Sequence, residues 1–234
     1  VPVAFESSAT GGGFPPGSPS FTQGISAGTN RTALLAVMTV GGGAAPTVTA
    51  TYNAVAMTQI AQASATIFGR FIATTLFQML DANLPALTGG YPMVYTSATP
   101  YDSRAYSCVY TGVQQVLAPT AGLSNSNNPP LSGFQTVNIA GVSPAGMVLD
   151  FFGAEPSAGP ITSFPGALQV ERSDTSDLDT LLAASEKPYS GSGLQSMTQT
   201  PSGSYFAFAY LAAVLQEVAA ASATRSAFLL GTQG

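Results

Sequence analysis

The chain has no histidine and no tryptophan, a single cysteine, and only 7% charged residues among its 234. Without histidine, Ser-His-Asp and Cys-His catalysis are excluded, and so are zinc sites of the usual kinds. Cys108 alone closes no intrachain disulfide, and inside an apolar run it reads as a small buried hydrophobe. Six basic residues against eleven acidic ones cannot build the basic stripe that nucleic acid requires. The longest uncharged apolar run, Tyr205 to Leu215, falls short of the ~20 residues of a spanning helix, so no membrane partner is expected. The start, Val1 to Glu6, has neither the basic region nor the apolar core of a secretion signal. Glu6, Asp81, Asp102, Asp150, Glu155, Glu171 and Glu217 are scattered, with no spacing that marks a paired acid and base. The expectation is a protein that is not an enzyme and holds no cofactor and no metal.

The shortage of charge is itself informative. Globular domains average ~25% charged residues, and a free monomer stays soluble largely through them. A surface built instead from Ser, Thr, Asn, Gln, Ala and Gly suits a protein covered by partners in an assembly. The alternative is a secreted or extracellular β protein with a threonine-rich face.

What is present is β grammar, organised around Asn30 to Ile60. Leu34 to Val40 is a short apolar run ended by Gly41-Gly42-Gly43, which fits a buried central strand. Thr47 to Tyr52 and Val55 to Ile60 flank Asn53-Ala54, a two-residue hairpin signal. Further strands are expected at Val1–Phe5, Phe21–Ser26, Gly69–Met79, Tyr91–Thr99, Tyr101–Thr111, Phe134–Ile139 and Met147–Phe152. Ala167–Glu171, Gln195–Thr200 and Ser204–Val214 follow the same pattern. Phe206, Phe208 and Tyr210 share one face of the last, with alanines opposite. Ser176 to Lys187 starts like a helix, yet every neighbour is β, and the reading favours a loop and then a strand from Thr180 to Lys187. Ser7–Ser20, Val113–Ser132 and Glu155–Pro165 read as loops. No repeat of solenoid or propeller period is visible. The fold class expected is all-β, an antiparallel sandwich over residues 1–218, followed by a C-terminal arm over 219–234. Phe228, Leu229 and Leu230 in that arm are candidate protein-interaction residues, because three consecutive apolar side chains gain nothing in water.

Three weaker signals remain. Asp174, Asp177 and Asp179 form the one acidic cluster, but they lack the glycine and terminal glutamate of a calcium loop and read as a solvated acidic loop. Asn30-Arg31-Thr32 fits a glycosylation sequon, which the lack of a secretion signal leaves without a setting. Tyr91, Tyr95, Tyr101, Tyr106 and Tyr110 lie along two neighbouring strands, where they can pack a core or stack on sugar rings.

Three landmarks also line up in order: Asn30-Arg31 before a Leu/Val strand, Val48-Thr-Ala-Thr-Tyr-Asn-Ala-Val-Ala-Met-Thr-Gln59, and Thr111-Gly112-Val113. Together they resemble a family of jelly-roll-like β-sandwich domains in virion structural proteins of tailed bacteriophages. Asn53-Ala54 stands where that family has two glycines, and Met57 where it has leucine. The resemblance implies a jelly-roll topology and no catalytic residues. It implies one of two roles. One is a capsid decoration or cement protein on the head surface, contacting the major capsid protein and copies of itself as a homo-oligomer, with a trimer suiting a three-fold lattice site. The other is a tail-associated module that binds host glycan.

Overall fold

The computed structural model describes residues 2–12, 18–98, 100–140, 145–189 and 193–219. Seventeen strands follow one another, and every pairing between them is antiparallel. The first nine are β1 (Ala4–Gly12), β2 (Ser20–Ile25), β3 (Thr32–Gly42), β4 (Val48–Tyr52), β5 (Val55–Ala56), β6 (Thr58–Ile67), β7 (Arg70–Leu80), β8 (Gly89–Ser97) and β9 (Pro100–Thr111). The remainder are β10 (Thr120–Leu131), β11 (Gln135–Ala140), β12 (Gly146–Pro156), β13 (Ser163–Pro165), β14 (Val170–Ser176), β15 (Leu181–Tyr189), β16 (Leu194–Pro201) and β17 (Tyr205–Gln216). No α-helix occurs among the described residues, and no helix is long and apolar enough to cross a membrane.

The strands form four sheets. One large sheet runs β1-β9-β3-β7-β6, and a second runs β10-β17-β12-β15-β14. Two smaller sheets run β2-β8-β4-β5 and β11-β16-β13. Matching β1 with β10, β3 with β12, β6 with β14, β7 with β15 and β9 with β17 superimposes the two large orders, and the small sheets follow with β2 on β11, β8 on β16 and β4 on β13. The chain thus carries the same strand plan twice. The sequence conceals this because the corresponding strands share a pattern and not their residues.

Three apolar cores stack the sheets into four layers. Leu34, Ala36, Met38 and Val40 of β3 meet Phe151 of β12 and Ala209 and Leu211 of β17 between the two large sheets. The alternate residues Ala33, Leu35 and Val37 point the other way, towards Tyr52, Met93 and Tyr95 of the first small sheet. On the far side Phe152, Phe208 and Tyr210 pack against Val137, Ile139 and Met197 of the second small sheet. β3 is therefore buried on both faces, as its continuous apolar run predicts. Ala207, Ala209 and Ala213 of β17 face the opposite large sheet, where small side chains let two sheets approach closely. Gly153 marks the tightest point, since a Cβ there would lie 2.4 Å from Thr74 Oγ1 and 2.8 Å from Met38 Cγ. Gly153→Val is expected to lower stability by ~1–3 kcal/mol or more, the cost of overpacking a filled core. A denaturation midpoint equal to wild type would show that the halves are not so closely apposed.

Local chemistry explains several landmarks. The Asn53-Ala54 turn has φ of 50° and 62°, so both residues are left-handed, as a two-residue hairpin demands, and Ala54 carries the steric cost that glycine would avoid. Past it, β5 pairs in the small sheet and β6 in the large one, so the chain changes layers at buried Met57. Arg31 is buried, pairs with Asp81 at 2.7 Å, and donates to the Ser26 and Pro85 carbonyls, pinning the β2–β3 and β7–β8 connections together at one end of the fold.

Three expectations need correction. Glu155–Pro165, read as a loop, holds the end of β12 and the short β13. The segment Val113–Ser132, read as a surface loop from its polarity, contains β10, which pairs with β17 at a sheet edge. None of its side chains is fully buried, which an edge strand tolerates, and this removed the hydrophobic alternation that would have revealed it. Likewise β1 runs on to Gly12, inside the segment read as a loop. The strand expected from Thr180 to Lys187 is present as β15.

Candidate functional site

The polar chemistry of the chain is concentrated between its two halves and at the end of the stack where the β6–β7 and β14–β15 turns lie. Arg70 pairs with Glu155 at 2.9 Å, and Arg104 pairs with Asp177; each bridge joins one half to the other. Thr180 Oγ1 donates to Asp102 at 2.8 Å, and Thr74 Oγ1 to the Ala209 carbonyl at 2.8 Å, again across the halves. Further along the same interface, Tyr110 donates to Glu186, which also receives Arg172, while the Arg172 guanidinium lies 4.0 Å from the Phe5 ring centroid. In contrast, no Asp, Glu, Lys or Arg occurs on any strand of the two outer sheets. Their outward positions include Thr22, Thr49, Thr51 and Thr96 on one side and Thr136, Ser196, Thr198 and Thr200 on the other.

An aromatic group stands at the turn end. β6 and β7 are joined by the two-residue turn Phe68-Gly69, with φ of 52° and 73°. Phe68 is 64% exposed and meets Phe206 edge to face at 5.5 Å. Two residues on, Arg70 lies 5.8 Å from the Tyr101 ring centroid, and Tyr101 is 53% exposed. The Tyr101 ring lies over Gly42, where a Cβ would come within 2.7 Å of its hydroxyl. Glu155 is buried; burial raises its carboxyl pKa, Arg70 opposes the rise, and Asp179 adds to it. Beside this group, β1 and β14 frame an open cleft of about 560 Å³ lined by Thr10, Gly12, Arg104, Asp174 and Thr175.

A second polar cluster lies inside the second half. Asp150 is fully buried and accepts hydrogen bonds from the Ser185 amide and hydroxyl, Gln199, Gln169 and Tyr210. No cation faces it among these partners. Desolvation therefore outweighs the hydrogen bonds, and its pKa is pushed up to about 6.

The residues singled out from sequence are distributed as follows. Of the five tyrosines, Tyr95, Tyr106 and Tyr110 are buried and belong to the cores, and Tyr91 is half-buried. Only Tyr101 offers its ring to solvent. Tyr106 is thereby corrected as a sugar-stacking candidate: it faces the interface between the large sheets. Asp174, Asp177 and Asp179 do not converge; Asp174 accepts from the Ser163 amide, and Asp177 holds Arg104 and Thr180. No group of three acidic or thiol side chains among the described residues could hold a metal ion. Cys108 is buried, and burial raises its thiol pKa, so it is an inert core residue. Phe228, Leu229 and Leu230 lie outside the described residues. Sequence reasoning missed Phe68, Arg70 and Glu155. The available signal was the pair Phe68-Gly69 between two strand-like runs, a turn position at which an aromatic is out of place.

No family model matches this chain, and no curated protein or solved structure matches it.

Proposed function

We propose that the chain is a structural protein of a tailed-bacteriophage particle, a decoration or cement protein on the head surface that acts through protein–protein contacts and carries no catalytic role. Its partners are the major capsid protein and copies of itself. The observation that carries this reading is the placement of charge: Arg70–Glu155 and Arg104–Asp177 tie the halves together, and the strands of the two outer sheets carry no charge. Neutral hydroxyl-bearing faces can be buried against a partner without stranding a charge, the most costly event in forming an interface. Each half is read as a jelly roll. With β5 and β6 counted as one interrupted strand, each half has eight strands, the first lies beside the last, and the large and small sheets face one another, which supports that reading. The arm over 219–234, with Phe228, Leu229 and Leu230, docks on a neighbour.

The test is the copy number of this chain per purified virion, measured by mass spectrometry against the major capsid protein. A count on the scale of the lattice is expected, and absence from the particle would overturn the reading. Deleting residues 220–234 is expected to weaken particle binding and oligomerisation while the thermal midpoint of the sandwich stays unchanged. Unchanged assembly would remove the arm from the mechanism. A tail-associated glycan-binding module is the second reading, favoured by the exposure of Tyr101; a handful of copies per particle would promote it.

A further inference from the structure

The Phe68-Gly69 turn breaks a local rule. A two-residue hairpin turn with both residues left-handed selects Asn, Asp or Gly, and a bulky aromatic there is strained. Burial does not offset the strain, because most of the Phe68 surface is in water. Its one ring contact is with Phe206, itself only half-buried. Strain kept at an exposed tip without a packing gain points to function at the tip. The surroundings say which kind. Tyr101 presents a second exposed ring, and Arg70 stands next to it on the strand that leaves the turn. Arg70 is already neutralised by Glu155, so the pair does not select a small ion. Moreover, Arg70 Nε and Glu155 Oε2 have no hydrogen-bond partner among the described residues, although Glu155 is 4% exposed. Both atoms are closed to water, so what a ligand reaches of this pair is the guanidinium of Arg70, whose side chain is 35% exposed beside the exposed Tyr101 ring.

We infer that Phe68, Tyr101, Arg70 and Glu155 form a binding site for a neutral saccharide. The apolar C–H face of a pyranose ring lies on the aromatic rings, and its hydroxyls meet the exposed edge of the Arg70 guanidinium, which buried Glu155 holds in place. This deepens the glycan reading given above and does not depend on where the chain sits in a particle, so particle copy number can fail while this site stands, and the reverse.

The test is an amide NMR titration of the full chain with methyl glycosides of glucose, galactose and N-acetylglucosamine, and with their trisaccharides. Shifts are expected at Gly42, Gly69, Arg70 and Tyr101 with at least one sugar. Tyr101→Ala should reduce affinity about tenfold, the scale of one lost aromatic contact. Phe68→Asn is the sharper variant. Asparagine fits the left-handed turn, so the denaturation midpoint should hold or rise while sugar binding falls about as much. No shift with any of these sugars, shifts confined to other residues, or a Phe68→Asn protein that binds as wild type would overturn the assignment. So would a lower midpoint in Phe68→Asn, which would make Phe68 a structural residue.

Discussion

Stability of the wild-type chain will fall as pH rises from about 4 to about 6, and Asp150→Asn will remove the Asp150 share of that fall. Burial raises the Asp150 carboxyl from the ordinary 3.8 of the unfolded chain to about 6 in the folded one. Between those values the folded chain holds a proton that the unfolded chain has released. Raising pH then favours unfolding, and the contribution is fully present below the unfolded pKa and gone above the folded one. A shift of that size corresponds to about 3 kcal/mol. Glu155 and Asp174 are also raised by burial and act in the same direction, so the quantity to measure is the difference between wild type and Asp150→Asn across the window. Asparagine keeps the shape, the Tyr210 hydroxyl can turn, and the Gln199 amide can flip to meet the new N–H pair. Asp150→Leu is the harsher companion. It strands the Ser185 amide and the Gln199 side chain in a sealed layer, and a loss of ~3–5 kcal/mol is expected at any pH. Urea titrations at pH 4 and pH 7 decide both; a wild-type-minus-asparagine difference that stays flat would sink the account of Asp150.

This network also shows where sequence reasoning stops. Asp150 sits in Met-Val-Leu-Asp-Phe-Phe, which reads as a strand from its apolar neighbours, and the strand is there. Nothing local says that the carboxylate faces inward, because its partners come from β15, β16, β17 and a loop, up to sixty positions away. The strands that were legible, β3, β4, β7, β9, β12 and β17, are those with continuous or alternating apolar residues. Those misread, β10, β13 and the far end of β1, belong to edge strands that are either very short or built of polar residues that follow no core. The doubling of the strand plan was invisible for a related reason. Topology is fixed by which edges meet, and Thr-, Ala- and Phe-rich strands can satisfy the same position equally well. The candidate site was legible in part: Tyr101 stood out by type, whereas Phe68, Arg70 and Glu155 become neighbours only once β7 and β12 are stacked.

Arg172→Met will destabilise the chain by ~3–5 kcal/mol, and adding Glu186→Leu will restore most of the loss. Glu186 is 3% exposed between the large sheets and is held by Arg172 and the Tyr110 hydroxyl. Removing the guanidinium leaves a carboxylate that has given up its water and kept only a neutral donor, the situation in which a broken buried pair costs most. Methionine retains much of the apolar stem over Phe5, so the loss reports charge more than packing. The double variant removes both charges and leaves an apolar site, which is often neutral relative to the pair; the coupling between the two substitutions should therefore be large and opposite in sign to the single losses. Because the pair is shielded, raising the salt concentration should change this coupling little. The pair also has a position that matters. Phe5 and Tyr110 belong to the first half, Arg172 and Glu186 to the second, so this contact, with Arg70–Glu155 and Arg104–Asp177, fixes how two equivalent sandwiches sit on one another. A denaturation cycle over wild type, both single variants and the double variant measures it. Additive losses would mean that Arg172 and Glu186 do not act as a pair and would sink this account of the buried carboxylate.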